Sequence, residues 1–474
     1  MKNLQKIKDL LGCEKPAETK QFPLAKITKM KYIGITILLF FIIINSFGQE
    51  IFHDARFVKI KQIEKGFISI INGANDTELK KFLVEKYDGY YTEGIALHDK
   101  EGKFIWVKAF DDRLIFDVKF ENNKISVLNA DWHNSKVSSS AELYETILDF
   151  EGKLLLEEKI SYIQSDVPNS RIRGLYDNKG RIWEWVNWER SENISINEIV
   201  ISGCERSNIR ITNHQKDSCY SHIIKGDKLR LLTYDVFKDK IGFLIRGNDI
   251  SFEHKTFDDF ETILVEFMTT GNIKATKPIA TDGVFLEHLE IANKGFFVGG
   301  TFQGNDSLNF EPTPYLLGKP LNSPKNKFRD ETARNGFVAY INDSLCLNWL
   351  QIIESEYDVS IESMSVQDTT IIIGIEYKDF VKLSKNELFS LKDSSEYEYS
   401  DAALIIFNSK GEMVSFKQLI GNGYEKIGAY LIDNKLILFG DFLYSMNVFD
   451  IELKSLSKNS CNYLIFRDKE MIEK

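Results

Sequence analysis

The feature that most restricts what this chain can become is a hairpin pattern that keeps returning: an apolar strand, a short polar turn, a second strand. EGIALHDKEGKFIWVK (93–108) is a clear copy, and the pattern recurs at 145–159, 198–212, 261–275, 336–350, 402–416 and 462–474, with the third and fifth copies least regular. A second hairpin falls between successive copies, at 56–73, 117–131, 171–188, 288–302, 363–377 and 429–442. Its seventh copy belongs within 220–247, where HIIKGDKLRLL and DVFKDKIGFLI fit equally well. Self-similarity at a spacing of this kind is the mark of a repeat architecture.

The turn residues explain why each segment doubles back. Asp-Asn, Asn-Lys-Gly and Lys-Gly tolerate positive φ, and two β-rich runs around such a turn make a hairpin. Two hairpins make one four-stranded antiparallel sheet. Such a sheet cannot bury both faces alone, so successive sheets must stack, and a ring leaves few edges exposed. The pattern therefore predicts an all-β chain, a seven-bladed β-propeller of four-stranded antiparallel blades over residues 49–474. The first strand after the leader is expected innermost in blade one and the C-terminal MIEK outermost in blade seven. Whether residues 49–55 fold back onto the last blade is left open. No helical periodicity is long enough to compete, and 75–90 holds one short helix at most.

Ahead of the repeats, KMKYIGITILLFFIIINSFGQ (29–49) sets two lysines before an apolar run and then small residues. That layout predicts an N-terminal hydrophobic helix acting as a signal peptide over 30–48, cut after Gly48 with Ser46 at the −3 position. The run is shorter than the ~20 residues of a spanning helix, although retention of residues 32–47 would make it a signal anchor. A start at Met30 gives the leader conventional proportions and makes residues 1–29 an upstream extension.

Charge removes several partners. The chain carries 60 basic and 70 acidic side chains, a net of −10, and residues 1–48 hold eight of the lysines but only three of the acids. The chain beyond the leader is more acidic still. Nucleic acid and anionic membrane, both bound through basic patches, are therefore excluded as partners, and a membrane is reached only through an uncleaved 32–47 segment. Four cysteines lie beyond the leader. Cys204 and Cys219 are the one close pair and the candidate disulfide in an exported chain; the alternative is that all four are small buried hydrophobes.

The repeats resemble a known family. GFVAYINDSLCLNWLQIIES, preceded by KGFFVGGTFQGNDSLNF, is similar to the units of bacterial β-propeller repeat (SBBP-type) proteins: a glycine-rich apolar strand, then Phe-Val-Ala, a turn, and Leu-Trp. The resemblance spans roughly 56–470 and is weakest in the third blade. It implies export from a Gram-negative cell and an extracytoplasmic location in the periplasm, at the surface or beyond. It carries no catalytic residues over.

A search for chemistry finds none of the phosphate-binding, zinc-protease, CxxC or GxSxG motifs, and the seven histidines stand as singletons without metal spacing. No cofactor is expected. The most suggestive local feature is IWEWVNWER, where Trp183 and Trp185 share one strand face and Trp188 takes the other. Exposed indoles stack on sugars, so these three and Trp132 are the candidate ligand-binding residues, against the reading that they pack between blades. Acidic stretches at 304–312 and 393–401 offer oxygens to a hard cation such as calcium, without a known loop spacing. The long insertion 302–336 is the first choice for a partner-binding element. Together these features predict an exported or envelope propeller that binds or scaffolds protein or glycan. The competing expectation is a polysaccharide hydrolase or lyase with carboxylates in the central channel. A third is an envelope protein held in the inner membrane by its N-terminal segment.

Overall fold

The computed structural model describes residues 49–469 apart from short internal segments, the longest being 317–333 and 391–399; the leader, including residues 30–48, lies outside the described residues. Every described element is a β-strand except a 3₁₀ turn at Lys80–Phe82, where one short helix was expected. No described helix is long and apolar enough to cross a membrane.

The strands form six antiparallel sheets, lettered in chain order. Sheet A pairs Arg56–Ile63, Gly66–Asn72, Thr92–His98 and Phe104–Asp111 in succession. Sheet B runs Arg113–Glu121, Lys124–Asn134, Ser139–Leu148 and Leu154–Ser165, and adds Ser191–Ile196 and Ile199–Cys204 at its edge. Sheet C has ten strands. Its first half is Arg171–Tyr176, Ile182–Trp188, Ser207–Gln215 and the start of Ser218–Phe237; its second half is the end of that same strand, Lys240–Phe252, Thr262–Met268 and Ile273–Ala280. Sheet D starts with Val284–Ala292, Gly295–Phe302, Asn335–Asn342 and Leu347–Glu354. Sheet E starts with Ser360–Gln367, Thr370–Tyr377, Asp401–Asn408 and Met413–Gly421. Sheet F is Gly428–Ile432, Lys435–Phe442 and Cys461–Asp468, completed by Gln49–Phe52.

The turns obey the sequence logic. In Asp99, Asp149, Asp177, Asn342 and Asn408 the side chain accepts from the backbone N–H four residues on, at 2.8–3.0 Å, while the N–H three residues on bonds to the same residue's carbonyl. The side chain thus mimics a strand partner and closes the loop. Gly411, at φ +74°, shows what the next position needs: a Cβ there would lie 2.5 Å from the Trp349 ring of sheet D.

One open choice is settled and two expectations change. The seventh second-type hairpin is DVFKDKIGFLI, turning at Lys238–Asp239, whereas HIIKGDKLRLL runs straight through the twenty-residue strand Ser218–Phe237 as a series of register shifts. Residues 198–212 are not one hairpin: Ile199–Cys204 turns back on Ser191–Ile196 through Asn197 at φ +49°, and Ser207–Gln215 pairs with Ser218–Gly226 instead. The outer place in sheet F, expected for MIEK, belongs to Gln49–Phe52; residues 470–474 lie outside the described residues.

Apolar clusters lie between sheets rather than within them. They join A to B, B to the first half of C, that half to the second, the second to D, D to E, E to F, and F back to A. Each sheet is therefore covered on both faces by its neighbours in chain order, which is a propeller-like arrangement. The buried Phe and Trp side chains each gain about 2–3 kcal/mol from this burial.

Candidate functional site

The first strands of sheets A, B, D and E are irregular in the same way, with register shifts at Phe57/Lys59, Ile115/Asp117, Leu286/His288 and Ile361/Ser363 marking a bulge near the start of each, and Ser218–Phe237 carries a like shift at Leu231/Thr233. A bulge bends its strand and re-aims the residues after it. Those residues reach the next sheet. Asp117 accepts from the Tyr176 N–H at 2.9 Å, Asp235 from Ile291 at 2.5 Å, Ser363 from Ala429 at 2.9 Å and Ser365 from Leu431 at 3.1 Å. Backbone donors on the free edge of each innermost strand are satisfied by the preceding sheet.

The same strands bring a polar cluster together. Asp117 is buried and holds two ammonium groups, Lys59 at 2.9 Å and Lys61 at 2.7 Å. Burial pushes its carboxyl up, but the two lysines and the Tyr176 N–H outweigh that and hold it at about 2. One carboxylate cannot neutralise two cations. Burial disfavours both ammonium groups; the fields of Asp117, Tyr234 and Tyr430 raise Lys59, whereas Lys61, also repelled by Lys59, falls to about 8. Lys59 lies 3.5 Å from the Tyr234 hydroxyl. Beside them, burial raises the carboxyl of Asp235, with the Ile291 and Val236 N–H groups and Lys59 opposing, and burial together with the Asp235 charge raises that of Glu290.

Two cavities flank this cluster. The larger, about 790 Å³, lies at the turn end of the innermost hairpins and is lined by Lys61, Lys100, Lys119 and Lys435 among others. Three of those four cations are already matched: Lys61 by Asp117, Lys119 by Glu145 at 3.2 Å and Lys435 by Asp468 at 2.7 Å. The smaller, about 450 Å³, lies at the strand-start end of sheet C, lined by Arg171, Arg173, Arg230, Trp185, Asn187, Trp188 and Glu189. None of the three guanidiniums has an ion-pair partner within 4 Å among the described residues. Burial and the like charge of Arg171 pull Arg173 below its ordinary value, with Tyr234 and Glu93 opposing. Two further groups in the same walls are unsatisfied: the Trp188 indole N–H, on a residue 1% exposed, and the Asn187 side-chain oxygen.

The tryptophans considered from sequence as stacking platforms pack between sheets. Trp183 and Trp185 are buried between the two halves of sheet C, edge-on or tilted against Phe267, Phe243 and Tyr234, and Trp188 is buried between sheets B and C. Trp132 is partly buried against that second cluster. Trp185 and Trp188 also line the smaller cavity. Cys219 is a free thiol, and the side chain of Cys204, its candidate disulfide partner, lies outside the described residues. Residues 393–399 of the acidic stretch 393–401 and most of 302–336 also lie outside, except that Ser307–Leu308 and Tyr315–Leu316 add two short strands to sheet C. No group of three metal-ligating side chains occurs among the described residues.

Sequence reasoning missed the arginines. The signal was present in RIR (171–173), two cations at strand spacing on one face of an acidic chain.

No family model matches the chain, and no curated protein matches it. Among solved structures the chain is similar to a subtype N10 neuraminidase-like protein of A/little yellow-shouldered bat/Guatemala/060/2010, at 12% identity over 74% of this chain and 94% of that one, with a TM-score of 0.33.

Proposed function

We propose that this chain is an exported, seven-bladed propeller of SBBP-type repeats that binds an acidic glycan in the Arg171–Arg173–Arg230 pocket. Counting seven blades divides sheet C at the bulged strand Ser218–Phe237, and the seven inter-sheet clusters among the described residues support that division. Export is supported by the leader, with its two lysines, its apolar run and Ser46 and Gly48 at the −3 and −1 positions.

The observation that carries the binding reading is three guanidiniums facing one cavity whose lining holds one carboxylate, Glu189, and none of which has a carboxylate within 4 Å among the described residues, in a chain with ten more acids than bases. Like charges held together destabilise a fold until an anion joins them, so clustering of this kind is a mark of binding sites. Guanidinium forks favour planar carboxylates. The Asn187 oxygen needs a donor, which a bare anion lacks and a sugar hydroxyl supplies. A uronic acid residue offers both, and 450 Å³ suits one or two sugar rings.

Calorimetric titration with uronate oligosaccharides tests this. Arg173→Ala and Arg230→Ala should each weaken binding at least about tenfold, a loss of ~1.4 kcal/mol. Added salt should weaken binding as well. Equal binding of neutral oligosaccharides, or no binding of either, would overturn the reading. The buried pair Asp235 and Glu290 favours a second reading, cleavage of that glycan. Against it, Asp117 and Asp235 are already engaged in holding adjacent strands. New reducing ends or unsaturated products after long incubation would decide for cleavage.

A further inference from the structure

On the sheet C face turned toward sheet B lies a second constellation, unconnected to the arginine pocket. Glu184 sits on the strand Ile182–Trp188, His214 on Ser207–Gln215, and Cys219 at the start of Ser218–Phe237. Register brings them to one face, because His214 pairs directly with Cys219 and with Ile182, two residues from Glu184. The Cys219 sulfur is 3.5 Å from His214 Nδ1, and His214 Nε2 is 2.9 Å from Glu184 Oε2.

The three side chains differ in exposure as a nucleophile relay requires. Cys219 is exposed, His214 is half-buried, and Glu184 is fully buried with its other oxygen 3.2 Å from Arg210. Burial opposes the Glu184 charge, yet the hydrogen bonds and fields of His214, Arg210 and Ser161 keep its carboxyl below the usual value. An ionised carboxylate at Nε2 demands the proton on that nitrogen, which leaves Nδ1 as an acceptor facing the thiol. Nucleophile, base and orienting acid within hydrogen-bond reach are the general pattern of an activated nucleophile. A role for Glu184 in pairing with Arg210 alone would not require the imidazole to be held in this tautomer against a sulfur.

We propose that Cys219, His214 and Glu184 form a relay that makes Cys219 a site of thiol exchange with small-molecule disulfides. Burial and the Glu184 charge raise the Cys219 thiol above its ordinary value, so it rests protonated and needs a base as it reacts. The thiol proton moves to Nδ1 of His214 while the Cys219 sulfur attacks one sulfur of R–S–S–R. The new S–S bond forms as the old one breaks, and the departing thiolate takes the proton back from the imidazolium. The balance is one protein thiol and one disulfide in, one mixed disulfide and one free thiol out. Glu184 acts as a positioning residue.

The same structure supplies an internal control in Cys346, a half-buried free thiol whose sulfur donates to the Ser344 carbonyl at 3.8 Å and has no imidazole partner among the described residues. The experiment treats the folded full-length chain with 5,5′-dithiobis(2-nitrobenzoate) from pH 5.5 to 9 and locates the adduct by peptide mass spectrometry. Cys219 should react about tenfold faster than Cys346 at pH 7, with a rate that follows an imidazole titration. His214→Gln should slow Cys219 about tenfold and convert its profile to that of a simple thiol, leaving Cys346 unchanged. Glu184→Gln should shift the pH midpoint of the Cys219 reaction; because it also unpairs Arg210, circular dichroism accompanies it, and His214→Gln decides if it unfolds. Equal rates at the two cysteines, or a Cys219 profile indifferent to His214→Gln, would overturn the proposal.

Discussion

The indole N–H of Trp349, on sheet D, donates to the carbonyl of Ser409 at 3.0 Å, a bond that pins the turn of sheet E against the preceding sheet. Trp106 of sheet A does the same to Phe150 in the turn of sheet B at 2.9 Å, and His222 and Gly271 are linked at 3.0 Å between the halves of sheet C. The tryptophan of the repeat is thus an inter-sheet fastener, and the glycine of the next turn makes room for its ring. Trp349→Phe should cost ~1–2 kcal/mol through the orphaned carbonyl and lost contact. Gly411→Ala should cost at least as much, since it combines positive φ with a clash on Trp349. Urea midpoints measure both; an unchanged midpoint for Gly411→Ala would contradict the fastener.

His98 is buried between the rings of Phe104 and Phe466, 2.8 Å from the Ser69 hydroxyl. Burial lowers its pKa to about 4, with the Gly102 carbonyl opposing. The unfolded chain binds the extra proton first, at its ordinary value near 6.5, so stability is intact above that pH and lost as pH falls toward 4. The loss reaches about 3 kcal/mol at most. Wild type should lose urea resistance between pH 6.5 and 4.5, and His98→Gln should flatten that slope.

Glu425 has the opposite sign. Burial, with Asp401 adding and the Gly423 N–H opposing, raises its carboxyl to about 8. The folded state holds the proton longer than the unfolded one. Its contribution is therefore full below about pH 4.5 and disappears as pH rises through 8. Glu425→Gln should be neutral at pH 4.5 and stabilising at pH 9, by at most about 5 kcal/mol. Parallel melting curves at the two pH values would contradict this.

How much of this was legible depends on the range of the interaction. The Asx-x-x-Gly turns are local: Asp99 and Gly102, and Asn408 and Gly411, announce their hairpins within four residues, and so those strand pairs of sheets A and E were readable. Failures came where the same residue types serve another end. Gly226, Asp227 and Lys228 look like a turn but form bulges in a strand that continues into the next unit, with Lys228 at φ +53°. Asn197 is a turn residue too, but its hairpin lies on sheet B, the edge of an earlier unit. No local rule tells which edge a hairpin will cover. Lys59, Asp117, Tyr234 and Glu290 lie up to 231 residues apart in the chain and meet only because the innermost strands do.

Asp117 shows what that convergence costs. It is the one carboxylate holding Lys59, Lys61 and the Tyr176 N–H. Asp117→Asn leaves two ammonium groups beside each other without a counter-charge, and removal of one partner from a buried pair costs about 3–5 kcal/mol. Adding Lys61→Met should recover part of that loss, because it removes the cation the amide cannot neutralise. A double variant no more stable than Asp117→Asn would show that the lysines are independent.

The strand Gln49–Phe52 makes the last test the most direct one of closure. It pairs with Cys461–Asp468, from Gln49 opposite Ile465 to Phe52 opposite Asn462, so the two ends of the repeat region share one sheet. Phe52 then reaches across to sheet A, edge-on to Phe57 at 5.3 Å and to Phe104 at 5.7 Å. Phe52→Ala removes a buried aromatic from the cluster that joins first sheet to last, at a cost of about 3–5 kcal/mol. Deleting residues 49–52 does more: it bares the backbone edge of Cys461–Asp468, and an unpaired apolar edge recruits other chains. The Phe52→Ala variant should therefore melt earlier but stay monomeric, whereas the deletion should aggregate on size-exclusion chromatography. A Phe52→Ala variant as stable as wild type would mean that sheets F and A hold together without this strand, and that the closure lies elsewhere.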